Sequence, residues 1–103
     1  MTDAPFRWTA AVDHPAFAGH FPGNPIVPGV VLLDRAILCA EASAGTPGTR
    51  WQIGNAKFLS PVGPGETLDF VLTPRTGGGY TFVVRSAGPE VRDVASGSLS
   101  PAP

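Results

Sequence analysis

The sequence predicts an α+β domain in which an antiparallel sheet of about five strands wraps around one central helix. Three observations lead there. Residues 30–44, VVLLDRAILCAEASA, are one apolar run of helical length, bounded by Pro28 on one side and Gly45 and Pro47 on the other. Most of the chain after it consists of short strand-like runs separated by glycine and proline. A length of 103 residues suits one compact core, so residues 1–103 are read as a single domain.

Residues 6–13, FRWTAAVD, are expected to form the first strand. Residues 14–29, HPAFAGHFPGNPIVPG, hold Pro15, Pro22, Pro25 and Pro28. Each proline fixes φ and lacks an N–H donor, so a rigid, ordered loop is expected there. The helix over 30–44 starts after Pro28, whose missing N–H would be unpaired at that point anyway. Gly45 supplies the stop. Because the helix is apolar on nearly every face, it is expected to be surrounded by protein. A strand is expected over 50–60, and the turn PVGPGE leads to another over 67–74. Gly77, Gly78 and Gly79 turn the chain into 80–86, and Ala87 to Pro89 turn it into 90–99. The last three strands, closely spaced, read as an antiparallel meander. The tail SPAP is expected to fray.

Composition narrows the function classes. A formal net charge of −1 provides no field for nucleic acid or an anionic membrane, so neither is expected as a partner. Cys39 is the single cysteine, which excludes an intrachain disulfide and a cysteine metal cluster. It is read as a small core residue. Trp8 and Trp51 are read as packing residues. No metal and no cofactor is expected: the two histidines lie six apart with poor accompanying ligands, and no phosphate-binding glycine fingerprint or G-x-S-x-G turn is present. The chain start lacks a leader pattern and no run is long enough to span a bilayer, so a soluble cytoplasmic protein is expected.

Two ionisable residues stand out. Asp34 has Val30, Val31, Ile37 and Leu38 three and four positions away, none of which can pair with a carboxylate. If buried there, the neutral acid is favoured, and a neutral acid can donate a proton to a leaving group. A pairing with a distant arginine, or a role capping backbone amides, accounts for Asp34 equally well. His20 lies in the rigid loop fourteen residues earlier. Histidine is the commonest base near neutral pH, although a loop histidine more often serves backbone carbonyls. His14 precedes a proline and reads as structural. At the helix start, the first N–H groups carry partial positive charge and Gly29 has no side chain to block them, so an oxygen gaining negative charge could be held there. Gly29 could equally serve only a tight turn into the helix.

The stretch DHPAFAGHFPGNPIVPGVVLLDRA, residues 13–36, resembles the 3-hydroxyacyl-acyl-carrier-protein dehydratases of bacterial fatty-acid synthesis, the FabA/FabZ type. Its core G-H-F-P-G-x-P-I-x-P-G-V matches nearly residue for residue. A second block, NAKFLSPVGPGETL at 55–68, resembles that family's K-x-x-F-x-x-P-V-x-P-G-D-x-L segment. The resemblance implies a hot-dog fold and a dimer whose sites each take a histidine from one protomer and an acid from the other. Carried over, His20 of one chain is the catalytic base and faces Asp34, the catalytic acid, of its partner. A homodimer is expected, with a heterodimer also compatible. Leu38 stands where the family often has Gln, and Arg35 replaces a usual small residue. Asp in place of Glu, together with the short chain, suggests a specialised relative such as the dehydratases of aryl-polyene or polyketide-like clusters.

The implied reaction converts a 3-hydroxyacyl thioester, carried on acyl carrier protein, to a trans-2-enoyl thioester. In it His20 removes the C2 proton, the Gly29 N–H holds the thioester oxygen, and Asp34 protonates the departing hydroxyl. Phe21, Val30 and Phe58 are expected to line an acyl tunnel between protomers. Arg35, Arg50 and Lys57 are candidate contacts for an acidic carrier. Two rivals are a hot-dog acyl thioesterase and a non-catalytic acyl-binding dimer partner.

Overall fold

A computed structural model describes residues 6–13, 26–45, 50–89 and 91–102. One helix and five strands follow in the order β1 (Phe6–Thr9), α1 (Gly29–Ala44), β2 (Trp51–Phe58), β3 (Thr67–Pro74), β4 (Tyr80–Ser86) and β5 (Asp93–Pro101). The strands form one antiparallel sheet in the order β1-β3-β4-β5-β2. The expected meander is therefore its centre. The two strands that come first in the chain occupy its edges.

Each element follows from its local sequence. In β3 and β4 the side chains alternate: Leu68, Phe70, Phe82 and Val84 are buried, while Thr81 and Arg85, on either side of the β4 pair, are exposed. The register places Phe70 opposite Val84, and Val84 opposite Ala95, so one face of the meander is continuously apolar. Gly97 lies opposite Phe82, and a Cβ at that position would come within 2.8 Å of the ring, which fills the space a side chain would need. Gly77, Gly78 and Gly79 all have positive φ, as the tight β3–β4 turn requires. On the outer face, Arg7, Asp69, Arg85 and Asp93 form an alternating row of charge across four strands. Arg7 contacts Asp69 at 2.8 Å and Arg85 contacts Asp93 at 3.0 Å. These exposed pairs organise the surface more than they stabilise it.

The helix begins one residue before the expected start. Pro28 occupies its N-cap without a side-chain hydrogen bond, and Gly45 ends it at φ 66 in the left-handed region. Leu32, Ala36, Cys39 and Ala40 form the buried stripe, at helical spacing, that faces the sheet. Phe6, Trp8, Trp51 and Tyr80 pack partly buried around this core.

Several boundaries differ from the sequence expectation. β1 ends at Thr9, not at residue 13, because its partner β3 starts at Thr67. Beyond it Ala10 bonds instead to Glu66 and Gly65 of the preceding turn. β2 ends at Phe58, not at residue 60: the amides of Leu59 and Ser60 both turn to the carbonyl of Val94. β5 starts later than expected and runs to Pro101. Ser100 and Pro101 pair with Gln52 and Trp51, so this part of the tail is strand and is not frayed. The described residues do not enclose the helix on every side. Val30 is 70% exposed and Leu38 47% exposed, because the sheet covers only the opposite face.

Candidate active site

The start of α1 is tied to the loop between β2 and β3. The amide of Val27 donates to the carbonyl of Val62 at 2.7 Å, and Val62 is itself buried in the core. Between these two segments lies a cleft of about 400 Å³, lined by Ile26, Gly29, Leu32, Phe58, Leu59 and Pro61 among others. Gly29 is essential to its shape. A Cβ there would meet the Phe58 ring at 2.7 to 3.1 Å. Phe58 thus lies directly over the first turn of the helix, where the Gly29 and Val30 N–H groups precede the first bond of the helix, from the Val31 amide to the Pro28 carbonyl. Such a cleft is mostly apolar, with partial positive charge at one end, and suits an acyl chain ending in a polarised carbonyl.

Asp34 lies elsewhere. It is exposed, on the same face as Val30 and Leu38, four positions to either side. Burial, the condition under which its neutral acid would be favoured, is therefore not met within the single chain. That chain's sheet lies against the stripe from Leu32 to Ala40. Asp34 does not line the cleft beside Gly29 and Phe58; it borders a separate depression of about 340 Å³ with Val30, Val31 and Arg35. Helix geometry gives the reason: Gly29 and Leu32, three apart, look to one side, while Asp34 is rotated by about 140° from Gly29. Among the described residues no cation lies within ion-pair distance of its carboxylate. The neighbouring Arg35 is turned aside, with its guanidinium 5.1 Å from the centre of the Trp8 ring.

The other sequence-predicted positions divide. Phe58 lines the cleft, whereas Val30 lies on the Asp34 face. His20 and Phe21, with His14, fall outside the described residues. Cys39 is buried, and burial pushes its thiol up from the ordinary value. Among the described residues no three His, Cys, Asp or Glu side chains gather as a metal site. No helix among them is long and apolar enough to cross a membrane.

One cluster was not foreseen. Arg92, in the turn before β5, donates to Ser60 Oγ at 2.7 Å, to the carbonyl of Pro61 at 2.8 Å and to Glu66 Oε1 at 2.8 Å. The other oxygen of Glu66 accepts from the amide of Gly63 at 2.6 Å. Burial pushes the Glu66 carboxyl up, but the Gly63 amide and the Arg92 guanidinium together hold it below the usual glutamate range. The only sequence signal was Glu66 at the acidic position of the second block.

Comparison with known proteins agrees with this geometry. Residues 2–98 match the family described as ApeI-like, ApeI dehydratase. The 3-hydroxyacyl-acyl-carrier-protein dehydratase FabZ of Aliarcobacter butzleri (strain RM4018) is 39% identical over 75 residues, which covers 61% of this chain and 51% of that protein. The chain thus spans about half the length of that relative. An uncharacterised protein from Erwinia carotovora subsp. atroseptica superposes with a TM-score of 0.78 at 32% identity, covering 100% of this chain and 88% of the other. The dehydratase heterocomplex ApeI:P from Xenorhabdus doucetiae superposes with a TM-score of 0.80 at 24% identity, over 96% of this chain and 86% of that one. The fold is the hot-dog fold: five antiparallel strands around one helix. With the family match extending over nearly the whole sequence, the chain belongs to the ApeI-like dehydratase family.

Proposed function

We propose that the protein dehydrates 3-hydroxyacyl thioesters, carried on acyl carrier protein, to trans-2-enoyl thioesters, in sites shared between two protomers. The observation that carries this reading is the separation of Asp34 from the cleft of its own chain. A carboxyl group on an exposed helix face, flanked by exposed Val30 and Leu38, is placed to serve a second subunit that covers that face. A homodimer is the simplest assembly, with the 103 residues acting as one domain. The ApeI:P neighbour is a heterocomplex, so a different hot-dog chain as partner is the other outcome to test.

In the mechanism, the acyl chain lies in the cleft under Phe58 with its thioester oxygen at the Gly29 N–H. His20 takes a proton from C2, and negative charge moves onto the thioester oxygen, where the helix start stabilises it. Asp34 of the partner gives its proton to the 3-hydroxyl. The C3–O bond breaks, water leaves and the C2–C3 double bond forms. Asp34 is left as a carboxylate and His20 as an imidazolium, and transfer of one proton between them restores the starting state. Base and acid must reach adjacent carbons, which only a fixed geometry provides.

The test supplies purified protein with 3-hydroxyacyl carrier substrates and follows the acyl mass. A loss of about 18 mass units, the mass of water, is the expected result of a proton-transfer dehydration. Release of free thiol would identify a thioesterase instead. Acyl binding without turnover would identify a non-catalytic partner subunit.

A further inference from the structure

Arg92 has no place in the reaction described above, yet it holds the wall of the cleft together. Its guanidinium reaches three residues of the β2–β3 loop at once: the Ser60 hydroxyl, the Pro61 carbonyl and the Glu66 carboxylate. Glu66 passes the constraint on to Gly63 through a 2.6 Å hydrogen bond. Ser60 and Pro61 line the cleft on their other side. The next residue, Val62, accepts the amide of Val27, two residues before the helix start. A continuous chain of short polar contacts thus runs from the β4–β5 turn, through the loop, to the backbone that leads to Gly29.

We propose that Arg92 is a positioning residue for acyl binding: by clamping the β2–β3 loop, it sets the distance between that loop and the first turn of α1. The choice of substrate rests on the dehydratase reading; the clamp itself does not. A flat, five-donor guanidinium suits the task, because two of its nitrogens reach three acceptors from one fixed plane. Lysine could keep the contact with Glu66 but could not serve Ser60 and Pro61 together. On its outer side Arg92 borders an open depression of about 640 Å³, so water replaces a shortened side chain there and no cavity forms in the core.

Three variants test this: Arg92→Met, Arg92→Lys and Glu66→Gln. With 3-hydroxyacyl carrier substrates, Arg92→Met raises KM by about tenfold and leaves kcat within about twofold, the pattern of lost uniform binding. Arg92→Lys recovers part of that loss, and Glu66→Gln raises KM by about threefold. Unchanged KM in Arg92→Met, or a fall in kcat at unchanged KM, overturns the proposal. Should Arg92→Met fail to fold, unchanged KM in Glu66→Gln does so. Amide exchange gives a readout independent of turnover. In Arg92→Met, or in Glu66→Gln if that variant must stand in, the amides of Gly63 and Val27 exchange faster, while those of Phe70 and Val84 in the central strands do not. A wild-type protein without dehydratase activity would remove the substrate assignment. The exchange measurement would then decide the clamp, and unaltered exchange at Gly63 and Val27 would refute it.

Discussion

The Phe58 ring lies so close over Gly29 that a methyl group at position 29 would meet it at 2.7 Å. Two effects therefore compete in Gly29→Ala. Alanine favours the helix by about 1 kcal/mol over glycine, while overpacking costs about 1–3 kcal/mol. That second figure belongs to a closed core, whereas the Phe58 ring is 53% exposed and is met only at its far end, so it swings aside at small cost. Gly29→Ala is expected to keep about wild-type stability and to lose about tenfold in turnover, since the displaced ring changes the shape of the cleft. Gly29→Ala/Phe58→Leu should recover part of the turnover. Denaturant midpoints and dehydration rates of the three proteins measure this. A single variant with wild-type turnover would show that the contact of Phe58 with the helix start does not shape the cleft.

The exposed stripe of Val30, Asp34 and Leu38 predicts what a charge does there. Val30 is 70% exposed in the single chain, so Val30→Glu should leave the fold of each protomer intact. At a protein–protein interface the same charge is desolvated without a partner, at a cost of several kcal/mol. The expected outcome in light scattering is a shift from dimer to monomer with loss of dehydratase activity and retained circular dichroism. An unaltered dimer would place the interface on another face.

Much of the fold was legible because its signals are local. Three successive glycines announce the β3–β4 turn, and all three adopt the positive φ that turn demands. Gly45 ends the helix in the expected conformation. The pairing of β2 with β5 involves residues 37 to 50 apart, and no local pattern specified that Ser100 and Pro101 continue that strand. The candidate site was legible through two blocks of resemblance, but its spatial logic was not. Apolar neighbours around Asp34 imply burial, and the described residues of the chain do not cover that face. The clamp at Arg92 joins residues 26 to 32 positions apart through side-chain geometry alone, which composition and spacing cannot encode.

Acid should weaken the protein through two carboxylates in particular. Glu66 is raised by burial but lowered more by the Gly63 amide and by Arg92, and its folded value lies below the ordinary 4.5. Asp69 is lowered chiefly by the hydrogen bond from Arg7, against the opposing effect of burial, with the Arg7 charge adding to the lowering. Its folded value lies below the ordinary 3.8. For both, the unfolded chain binds more protons across the interval between the two values, so stability rises with pH there. Their contribution is complete above the unfolded values and is lost as pH falls through the folded ones. Glu66→Gln should therefore lose more stability relative to wild type at about pH 6 than at about pH 3. Urea denaturation at both pH values checks the sign. An equal loss at both would mean that the Glu66 charge does not contribute to stability.

A shared site makes a prediction that no single-chain site can satisfy. Asp34→Ala should fold normally, because Asp34 is exposed and has no ion-pair partner among the described residues, and circular dichroism checks that His20→Ala does so too. Each should lose turnover by about 10²–10⁴-fold, the usual contribution of a general acid or base. In a mixed dimer of the two variants, one site lacks both groups. The other keeps a native His20 from one chain and a native Asp34 from its partner. Random exchange makes half of all dimers mixed, so about a quarter of the original sites should become competent. Co-refolding the two inactive variants and measuring the dehydration rate tests this directly. No recovery, with mixed dimers demonstrated by native mass spectrometry, would mean that the histidine and the aspartate act within one chain or do not act together. Recovery near one quarter would assign the acid to the partner and explain why a carboxyl group on this helix faces away from its own cleft.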